Sequence, residues 1–332
     1  MHIQKQIELK VLKFISDQGL ISFKESIVVA VSGGPDSVFL LMLLAQWARA
    51  RSWKLKVAYF DHGLRRASKK EALFVEALAQ NLALPFVKGA ADCKVLKEKL
   101  NLSTEEVARK ARYAFLQKEA QSFGQAKIAL AHHLNDQVET FFVALLKGGG
   151  LGGLSGMKSQ EKNIIRPLLT LTKEEILAYL NSQKISFLTD ETNLSHPFLR
   201  NKVRHKLLPY IERTFPEWNL YKTLPRLMTV LKSEHELLGL LAEHWEAQFV
   251  RVQGAGYRIG TKEFLALPSA LQRRMIKNTL EKLSSQRNFT SSHIEENRKL
   301  FSNPVSQKVL VLPEGVRAKK LKNEVFFNKI IW

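Results

Sequence analysis

Cysteine is the scarcest chemistry-bearing residue in this sequence: Cys93 is the only one among 332 residues. A single cysteine excludes an internal disulfide framework, a zinc site built from cysteines and a two-cysteine redox motif. It is typical of a protein from a reducing compartment. Cys93 itself is predicted to be a small buried packing residue.

Long hydrophobic runs are also missing. Residues 1–19 contain no uninterrupted apolar core followed by a cleavage site, and their pattern favours an amphipathic helix over a signal peptide. The longest strongly apolar stretch, Val38 to Ala45, is too short to span a bilayer. These features predict a soluble, cytoplasmic protein with no membrane partner.

Acidic residues are few relative to basic ones, with 31 Asp and Glu against 51 Lys and Arg, and the formal net charge is +20. Such an excess indicates a polyanionic partner, nucleic acid before an anionic membrane surface. The alternative is a generally basic soluble protein. The chain length and the 45% of hydrophobic residues predict two domains with a sizeable core.

Strand-like and helix-like segments alternate over the first 190 residues, which predicts an α/β fold with a doubly wound, mainly parallel sheet. From Pro216 onward, helical patterns dominate and end in short strands around Pro313-Glu314-Gly315, which predicts a second, mostly helical domain with a small β tail. We place the division between residues 213 and 214. The predicted strands of the sheet are Ser26 to Val31, Leu55 to Phe60, Pro85 to Lys88, Lys127 to Ala131 and Ile164 to Leu168.

The segment Ser32-Gly33-Gly34-Pro35-Asp36-Ser37 lies between a predicted strand and a predicted helix. Glycines let the backbone approach a ligand, successive N–H groups can form an anion nest, and the helix adds its positive end. Ser32 and Ser37 offer hydroxyls to phosphate, and Asp36 beside phosphate implies Mg²⁺. The kinase-type pattern is absent, and the loop contains no lysine. The alternative is an ordinary Gly-Gly-Pro turn.

Two more polar clusters follow predicted strands, and the carboxyl ends of parallel strands should bring all three to one crevice. Asp61 and His62 follow the second strand, where they are predicted to lie near adenosine or a metal. The alternative is a surface turn in which Asp61 acts as a cap. His132 and His133 precede Asp136 and Glu139, which lie three apart on one helix face. This cluster suits Mg²⁺ and pyrophosphate, or an amine to be oriented. A capped helix with surface histidines is the alternative.

Basic residues outside the crevice also form groups. Arg109, Arg112 and Tyr113 fall on one side of a helix, where they suit a phosphate or a base; the alternative is a solvated face with Tyr113 in the core. Lys147 precedes a glycine-rich stretch, residues 148–156, which is predicted to hold no regular element and to act as a flap or a passive linker. Residues 198–206 form the densest basic run and suit nucleic-acid phosphates, or a solvated basic helix.

These motifs resemble those of the tRNA(Ile)-lysidine synthases, within the PP-loop ATP pyrophosphatases of adenine nucleotide α-hydrolase-like fold. The segments in order are SGGPDS, FDHGLR, EEVARKARYAFL, AHHLNDQVETF, KGGGLGGLSGM, IIRPLL, DETN and RNKVRHKLLP. The resemblance implies an ATP-dependent ligase that forms a carbon–nitrogen bond. ATP would adenylate C2 of the wobble cytidine of a CAU anticodon, and the ε-amine of L-lysine would then displace AMP to give lysidine. The modified tRNA would then read the codon AUA instead of AUG, and it would be charged with isoleucine instead of methionine.

The resemblance also implies roles for particular residues. Asp36, Asp136, Arg200 and Arg204 are the catalytic candidates, and Asp36 and Asp136 would also hold Mg²⁺. The other roles cover ATP and the substrates. The residues that would bind ATP are Ser32, Gly33, Gly34, Pro35, Asp36, Ser37, Asp61 and His62. The residues that would contact tRNA or lysine are Arg109, Arg112, His133, Glu139, Lys147, Lys202 and Lys206.

The same resemblance assigns residues 1–213 to nucleotide binding and catalysis and residues 214–332 to tRNA binding. Its cofactors are ATP and Mg²⁺, its partners are tRNA(Ile) with a CAU anticodon and L-lysine, and a homodimer is one option for its assembly. Lys147 stands where the family usually has arginine, which keeps the charge but loses bidentate phosphate contact. The chain also looks shorter than members that carry a full extra C-terminal domain.

Three other functions compete with this interpretation. A tRNA thiolase with the same loop would need cysteines that this sequence lacks. A small-molecule amidotransferase or synthetase of the same superfamily does not need a net charge of +20, and no glutaminase domain is present. A non-catalytic tRNA-binding module with a decayed loop is disfavoured by the intact SGGPDS and HHLNDQVET segments.

Overall fold

The computed structural model describes residues 2–61, 68–91, 104–189, 199–284 and 289–330. The chain divides into two compact units, Met1–Met228 and Thr229–Trp332, and each is described by itself. The predictions for His62, for Cys93 and for the DETN motif lie outside the described residues. Within the described residues, no helix is long and apolar enough to cross a membrane.

The first unit is built on a six-stranded sheet. Its strands are β1 (Ser26–Ala30), β2 (Lys54–Asp61), β3 (Phe86–Ala90), β4 (Lys127–Ala129), β5 (Gln160–Glu161) and β6 (Ile164–Ile165). They are ordered β3-β2-β1-β4-β6-β5, and every neighbouring pair is parallel except β5 with β6. The predicted doubly wound, mainly parallel sheet is therefore confirmed.

Helices cover both faces of this sheet. Ile27 and Val29 pack in one apolar cluster together with Phe39 and Leu43, whereas Val28 packs in another with Leu116. Alternate side chains of β1 are thus buried on opposite faces, as its continuous apolar sequence predicts. The helices of this unit are α1 (His2–Asp17), α2 (Pro35–Arg51), α3 (Ser68–Asn81), α4 (Thr104–Ser122), α5 (Leu134–Leu146), α6 (Leu151–Leu154), α7 (Lys173–Ser182), α8 (Leu199–Lys202), a π-helix (Val203–Leu207) and α9 (Leu208–Thr214).

The second unit combines helices with an antiparallel sheet. The division between the units falls within α10 (Leu220–Phe249), which α11 (Thr261–Ala266), α12 (Ser269–Leu283) and α13 (Ser291–Phe301) follow. The strands are β7 (Val250–Gln253), β8 (Gly256–Gly260), β9 (Val309–Val311), β10 (Val316–Lys320) and β11 (Glu324–Lys329), in the order β7-β8-β11-β10-β9. The predicted helical domain with C-terminal strands is confirmed, and the hairpin of β7 and β8 adds to it.

Candidate active site

The loop between β1 and α2 is held in shape by its own serines. The Ser37 hydroxyl donates to the Gly34 carbonyl at 2.9 Å, and the Ser32 N–H donates to Ser37 Oγ at 3.1 Å. Pro35 occupies the first turn of α2, where its missing N–H costs no hydrogen bond. The loop therefore presents the N-terminus of α2 in a fixed geometry, which is the arrangement that binds anions.

Gly33 is the position in this loop where only glycine fits. Its φ is +88°, and an added Cβ would lie 3.0 Å from Leu188 Cδ1. The Leu188 N–H donates to the Gly33 carbonyl at 2.9 Å, which ties the loop to the chain beyond α7. A side chain here would strain the backbone and push Leu188 away.

Two adjoining cavities open at the carboxyl ends of β1 and β4. The larger has a volume of about 860 Å³ and the smaller about 300 Å³. Five residues line both of them, namely Ser32, Gly34, Asp36, Phe60 and Asp136. The loop that follows β1 and the cluster that follows β4 therefore share one crevice, as the parallel topology predicts.

His133 joins the two clusters. Its Nε2 lies 3.7 Å from Asp36 Oδ2 and 3.6 Å from Asp136 Oδ2. Its backbone N–H donates to Asp136 Oδ2 at 3.0 Å, so that Asp136 caps α5. His133 is buried, which contradicts the alternative of a surface histidine at this position.

Glu139 and Asp136 bind two arginines from another part of the chain, Arg200 and Arg204. These four side chains are called the arginine clasp below. Glu139, only 2% exposed, accepts from Arg200 Nε at 2.7 Å and from Arg204 Nε at 2.5 Å. Arg200 also donates to Asp136 Oδ1 at 2.8 Å. Burial acts to lower the pKa of Arg204, but the Glu139 carboxylate outweighs it and the pKa is raised. The four side chains form one charge-assisted network.

Asp136 and His132 show how burial and charge compete at the base of the crevice. Burial acts to raise the pKa of Asp136, but His133 and Arg200 outweigh it and the pKa is lowered. Burial lowers the pKa of His132 to about 4, although Asp136 acts in the opposite direction. Asp136 is therefore ionised and His132 neutral at neutral pH.

Arg112 faces the smaller cavity together with Ser32 and Ser37. Its Nε is buried and has no hydrogen-bond partner among the described residues. Burial is also the main cause of its lowered pKa. A guanidinium donor left unpaired beside the phosphate loop suits an oxygen of a bound ligand.

Lys173, which sequence reasoning did not single out, lies at the mouth of the loop. Its Nζ lies 2.6 Å from Asp36 Oδ1 although the two residues are 137 positions apart. The only signal in the sequence was its place directly after Thr172, which caps α7 through Glu175. Helical spacing predicts neighbours within one helix, and it does not predict which loop a helix end will meet.

Several predicted site residues line neither cavity. Asp61 ends β2, and its carbonyl accepts from the Ala91 N–H at 3.0 Å. Arg109 is exposed and lies over the Tyr113 ring, 5.2 Å from its centroid. Lys147, Lys202 and Lys206 are exposed as well. Their assignment to tRNA or lysine stays a prediction.

The prediction that the glycine-rich stretch holds no regular element is wrong over four residues. Leu151–Leu154 forms one helical turn, closed by the Leu154 N–H donating to the Gly150 carbonyl at 3.1 Å. The end of the stretch is fixed on α5, because the Gln137 side chain bonds both the N–H and the carbonyl of Met157, at 2.6 and 2.9 Å. Local backbone bonds and the two Gln137 bonds offset the conformational entropy that the glycines lose on folding.

Mg²⁺ fits the carboxylates of the crevice only with help from a ligand. Among the described residues, no three His, Cys, Asp or Glu side chains are grouped to hold a metal ion. Asp36 and Asp136 both approach His133 and supply two carboxylates at one place. Two carboxylates together with substrate phosphates are the donor set that Mg²⁺ usually takes.

Comparison with known proteins agrees with this geometry. The PP-loop domain family matches residues 3–211, more than half of the chain. The tRNA(Ile)-lysidine synthase of Geobacter sulfurreducens is 36% identical over 325 residues, which cover 96% of this chain and 68% of that protein. The tRNA(Ile)-lysidine synthase of Caldanaerobacter subterraneus subsp. tengcongensis is 32% identical over 322 residues, with the same coverage. The chain belongs to the tRNA(Ile)-lysidine synthase family.

The resemblance drawn from the motifs is therefore confirmed, and it extends into the second unit. The chain spans about two thirds of the length of these two family members. Among solved structures, the U34-tRNA thiolase NcsA from Methanococcus maripaludis with its [4Fe-4S] cluster has a TM-score of 0.57 at 16% identity, covering 69% of this chain and 80% of that one. At this identity the likeness shows a shared fold alone.

Proposed function

We propose that the chain catalyses the two-step formation of lysidine on tRNA(Ile). In the first step, the C2 carbonyl oxygen of the wobble cytidine attacks the α-phosphorus of ATP, and the bond to the β-phosphate breaks. Pyrophosphate leaves. In the second step, the ε-amine of lysine attacks C2, the C2–O bond breaks, AMP leaves, and the amine loses a proton. The product is the cytidine of a CAU anticodon converted to lysidine.

The observation that carries this proposal is the single crevice shared by the phosphate loop and the arginine clasp. Asp36 and Asp136 approach the same His133 imidazole at 3.7 and 3.6 Å, and Arg204 lines the larger cavity together with the loop, so ATP held by the loop would lie on the side of the arginine pair. Adenylation develops negative charge on the phosphates and needs fixed cations nearby. Because Glu139 holds both guanidiniums in place, they need little reorganisation when that charge develops.

The crevice also suits a substrate that carries amines. Glu174 and Glu212 line the larger cavity on the side that also includes Tyr221. Burial and the nearby Glu212 raise the pKa of Tyr221, which therefore stays a neutral hydroxyl. Carboxylates in a cavity of about 860 Å³ favour a cationic amino acid over a neutral one. This supports lysine as the second substrate.

Mg²⁺ is part of the proposal. Asp36 and Asp136 would hold it together with oxygens of ATP, and it would neutralise charge on the departing pyrophosphate. We also propose that the protein forms a homodimer and acts in the cytoplasm, where ATP and tRNA are present together. Residues 214–332 are proposed to bind the tRNA.

A thiolase reaction is the second candidate that the fold suggests, because the similar solved structure is a tRNA thiolase with a [4Fe-4S] cluster. This chain contains one cysteine, and a cluster ligated by cysteines needs more. The composition therefore favours the ligase reaction.

The direct test is incorporation of labelled lysine. We expect purified protein with ATP and Mg²⁺ to transfer lysine to a tRNA(Ile) transcript with a CAU anticodon, releasing one AMP and one pyrophosphate per lysine. Elongator tRNA(Met), which has the same anticodon, is the matched control and should accept far less. If neither transcript accepts lysine while pyrophosphate is released, the adenylation would stand and the choice of lysine would be wrong.

A second test concerns the basic surface. We expect the affinity for tRNA to fall steeply with salt, and the double variant Lys202→Ala/Lys206→Ala to lower the slope of log Kd against log salt by about 1 to 2, because each phosphate contact releases about one counterion. Filter binding across a salt series measures this. Lys5→Ala, an exposed lysine on α1, is the control. If Lys5→Ala lowers the slope as much per charge removed as the double variant does, tRNA binding is spread over the whole surface and not concentrated at Lys202 and Lys206.

A further inference from the structure

The phosphate loop contains no lysine, yet an ammonium group lies at its mouth. Lys173 Nζ bonds Asp36 Oδ1 at 2.6 Å, and Lys173 lines the larger cavity beside Ser32 and Gly34. The two partners come from α7 and α2. The fold thus supplies from a distant helix the cation that phosphate loops of the kinase type carry in their own sequence.

The position of Lys173 is fixed by three contacts at the start of α7. Thr172 and Glu175 form a reciprocal capping box, with bonds of 3.2 and 2.7 Å. The Lys173 N–H donates to Asn135 Oδ1 at 2.8 Å, which ties α7 to the start of α5. Glu175 also pairs with Lys10 at 2.7 Å. The backbone is therefore anchored, and only the flexible side chain is free to change partner.

The bond between Lys173 and Asp36 is of a kind that exchanges easily. Both side chains are about 30% exposed, and pairs with such access to water contribute little to stability. Asp36 also has the His133 imidazole within 3.7 Å as a second neighbour. A pyrophosphate group carries more negative charge than one carboxylate, and lysine binds phosphate as a point charge on a flexible stem. An arriving triphosphate would therefore draw the ammonium away from Asp36.

We propose that Lys173 is a pyrophosphate-binding residue, held on Asp36 in the free protein and transferred to the β- and γ-phosphates when ATP binds. There it stabilises the charge that collects on pyrophosphate as the bond between the α- and β-phosphates breaks. It also leaves Asp36 free to bind the cation that accompanies ATP. This proposal rests on the adenylation step of the proposed function.

Direct binding of magnesium pyrophosphate and of AMP, each measured by calorimetry on the full chain, tests the proposal. We expect Lys173→Met to weaken pyrophosphate binding about 10- to 100-fold, the usual worth of one charge-assisted bond. AMP binding should be unchanged, because AMP lacks the phosphates that Lys173 would contact. Lys173→Arg should retain most of the affinity. Lys118→Met, which removes one exposed charge on α4, should bind both ligands as the wild type does.

A competing explanation is that Lys173 only neutralises Asp36, and the Asp36→Asn background separates the two. In that background no carboxylate is left for Lys173 to neutralise. If Lys173 contacts pyrophosphate, adding Lys173→Met to Asp36→Asn weakens pyrophosphate binding again, about 10-fold or more. If the double variant binds pyrophosphate as tightly as Asp36→Asn alone, the proposal is overturned.

The fate of this proposal can be told apart from that of the proposed function. Wild-type protein that forms lysidine, with pyrophosphate binding unaffected by Lys173→Met, would overturn the role of Lys173 alone. If the wild type forms no lysidine and Lys173→Met still weakens pyrophosphate binding, the role of Lys173 would stand and the proposed lysidine reaction would be wrong. In turnover, the role predicts a lower rate of pyrophosphate release in Lys173→Met with an unchanged tRNA affinity.

Discussion

Replacing Asp36 with alanine is expected to abolish pyrophosphate release while tRNA binding survives. Asp36 lies in the first turn of α2, directly after the phosphate loop, and faces both cavities. Its carboxylate is the one that Lys173 and His133 approach from two sides. Without it, the site loses a proposed ligand of the cation that neutralises pyrophosphate. We expect the rate to fall by about 10³-fold or more.

The physical reason for intact binding is electrostatic. The substitution removes a negative charge from a crevice that takes up polyanions, so neither ATP nor tRNA meets new repulsion. Single-turnover pyrophosphate release and filter binding of tRNA, measured on the same preparation, check both halves. Asp36→Asn, which keeps the shape but not the charge, should fail like Asp36→Ala. Asp17→Ala, at an exposed acid paired with Lys13 on α1, should be active.

Loss of tRNA binding in Asp36→Ala, with normal chemistry in the complexes that still form, would contradict the placement of this loop. It would mean that the segment contacts tRNA and not ATP. The result would also separate the loop from the two arginines, which are linked to Asp36 through Asp136 and His133.

The rule that ligands bind at the carboxyl ends of parallel strands explains why the sequence predicts the phosphate loop and the cluster after β4 well. Val28 lies between Ile27 and Val29 in a run buried on both faces, and this run identifies a central parallel strand whose carboxyl end must carry the ligand site. The cluster after β4 follows from the same rule. Topology alone therefore brings Asp36 and Asp136 together, without any knowledge of side-chain geometry.

Long-range pairing accounts for what sequence reasoning missed. Lys173 reaches Asp36 because α7 starts beside α5, a tertiary contact that no local periodicity encodes. The resemblance makes Arg200 and Arg204 catalytic candidates, but it does not predict that both guanidiniums bond Glu139. They lie in α8 and the π-helix after it, and a π-turn breaks the regular spacing on which helical patterns depend.

The hairpin of β7 and β8 was missed for a different reason. The segment VRVQGAGYRIG, from Val250 to Gly260, alternates apolar and polar residues around a short glycine turn, which is a recognisable hairpin signal. It directly follows α10, whose helical period predicts helix for the region as a whole. Its partner β11 lies more than sixty residues further along the chain, so local sequence gives no sign of the sheet that the hairpin joins.

Replacing Glu139 with glutamine is expected to be the most destabilising single change in the crevice. The carboxylate is 2% exposed and accepts three bonds from Arg200 and Arg204, at 2.5 to 2.8 Å. Glutamine has nearly the same shape, but its amide supplies only one acceptor oxygen and no charge. Among the described residues, Asp136 would then be the one carboxylate still bonded to the two guanidiniums. Because the Arg200 and Arg204 side chains are themselves 36% and 39% exposed, water can partly solvate them, and we expect the free energy of unfolding to fall by about 1.5 to 3 kcal/mol, the usual worth of hydrogen bonds to a charged group.

The second unit provides a matched control for this prediction. Glu295 also bonds two arginines, Arg273 and Arg298, but its side chain is 33% exposed. The arginines on both carboxylates are exposed to a similar degree, but water already reaches the Glu295 carboxylate and weakens its bonds, so in Glu295→Gln we expect the free energy of unfolding to fall by about 1 kcal/mol or less. The comparison holds the chemistry constant and varies burial. It therefore isolates desolvation as the source of the difference.

Hydrogen exchange is the suitable measurement, because a chain of two units need not unfold in one step. Amides of α5 and α8 should exchange faster in Glu139→Gln, whereas those of α12 and α13 should not change; Glu295→Gln should leave α5 and α8 untouched. Pyrophosphate release should fall as well, since misplaced guanidiniums no longer meet the developing charge. Equal protection of α5 in wild type and Glu139→Gln would show that the arginines find other partners, and that the clasp does not hold the crevice together.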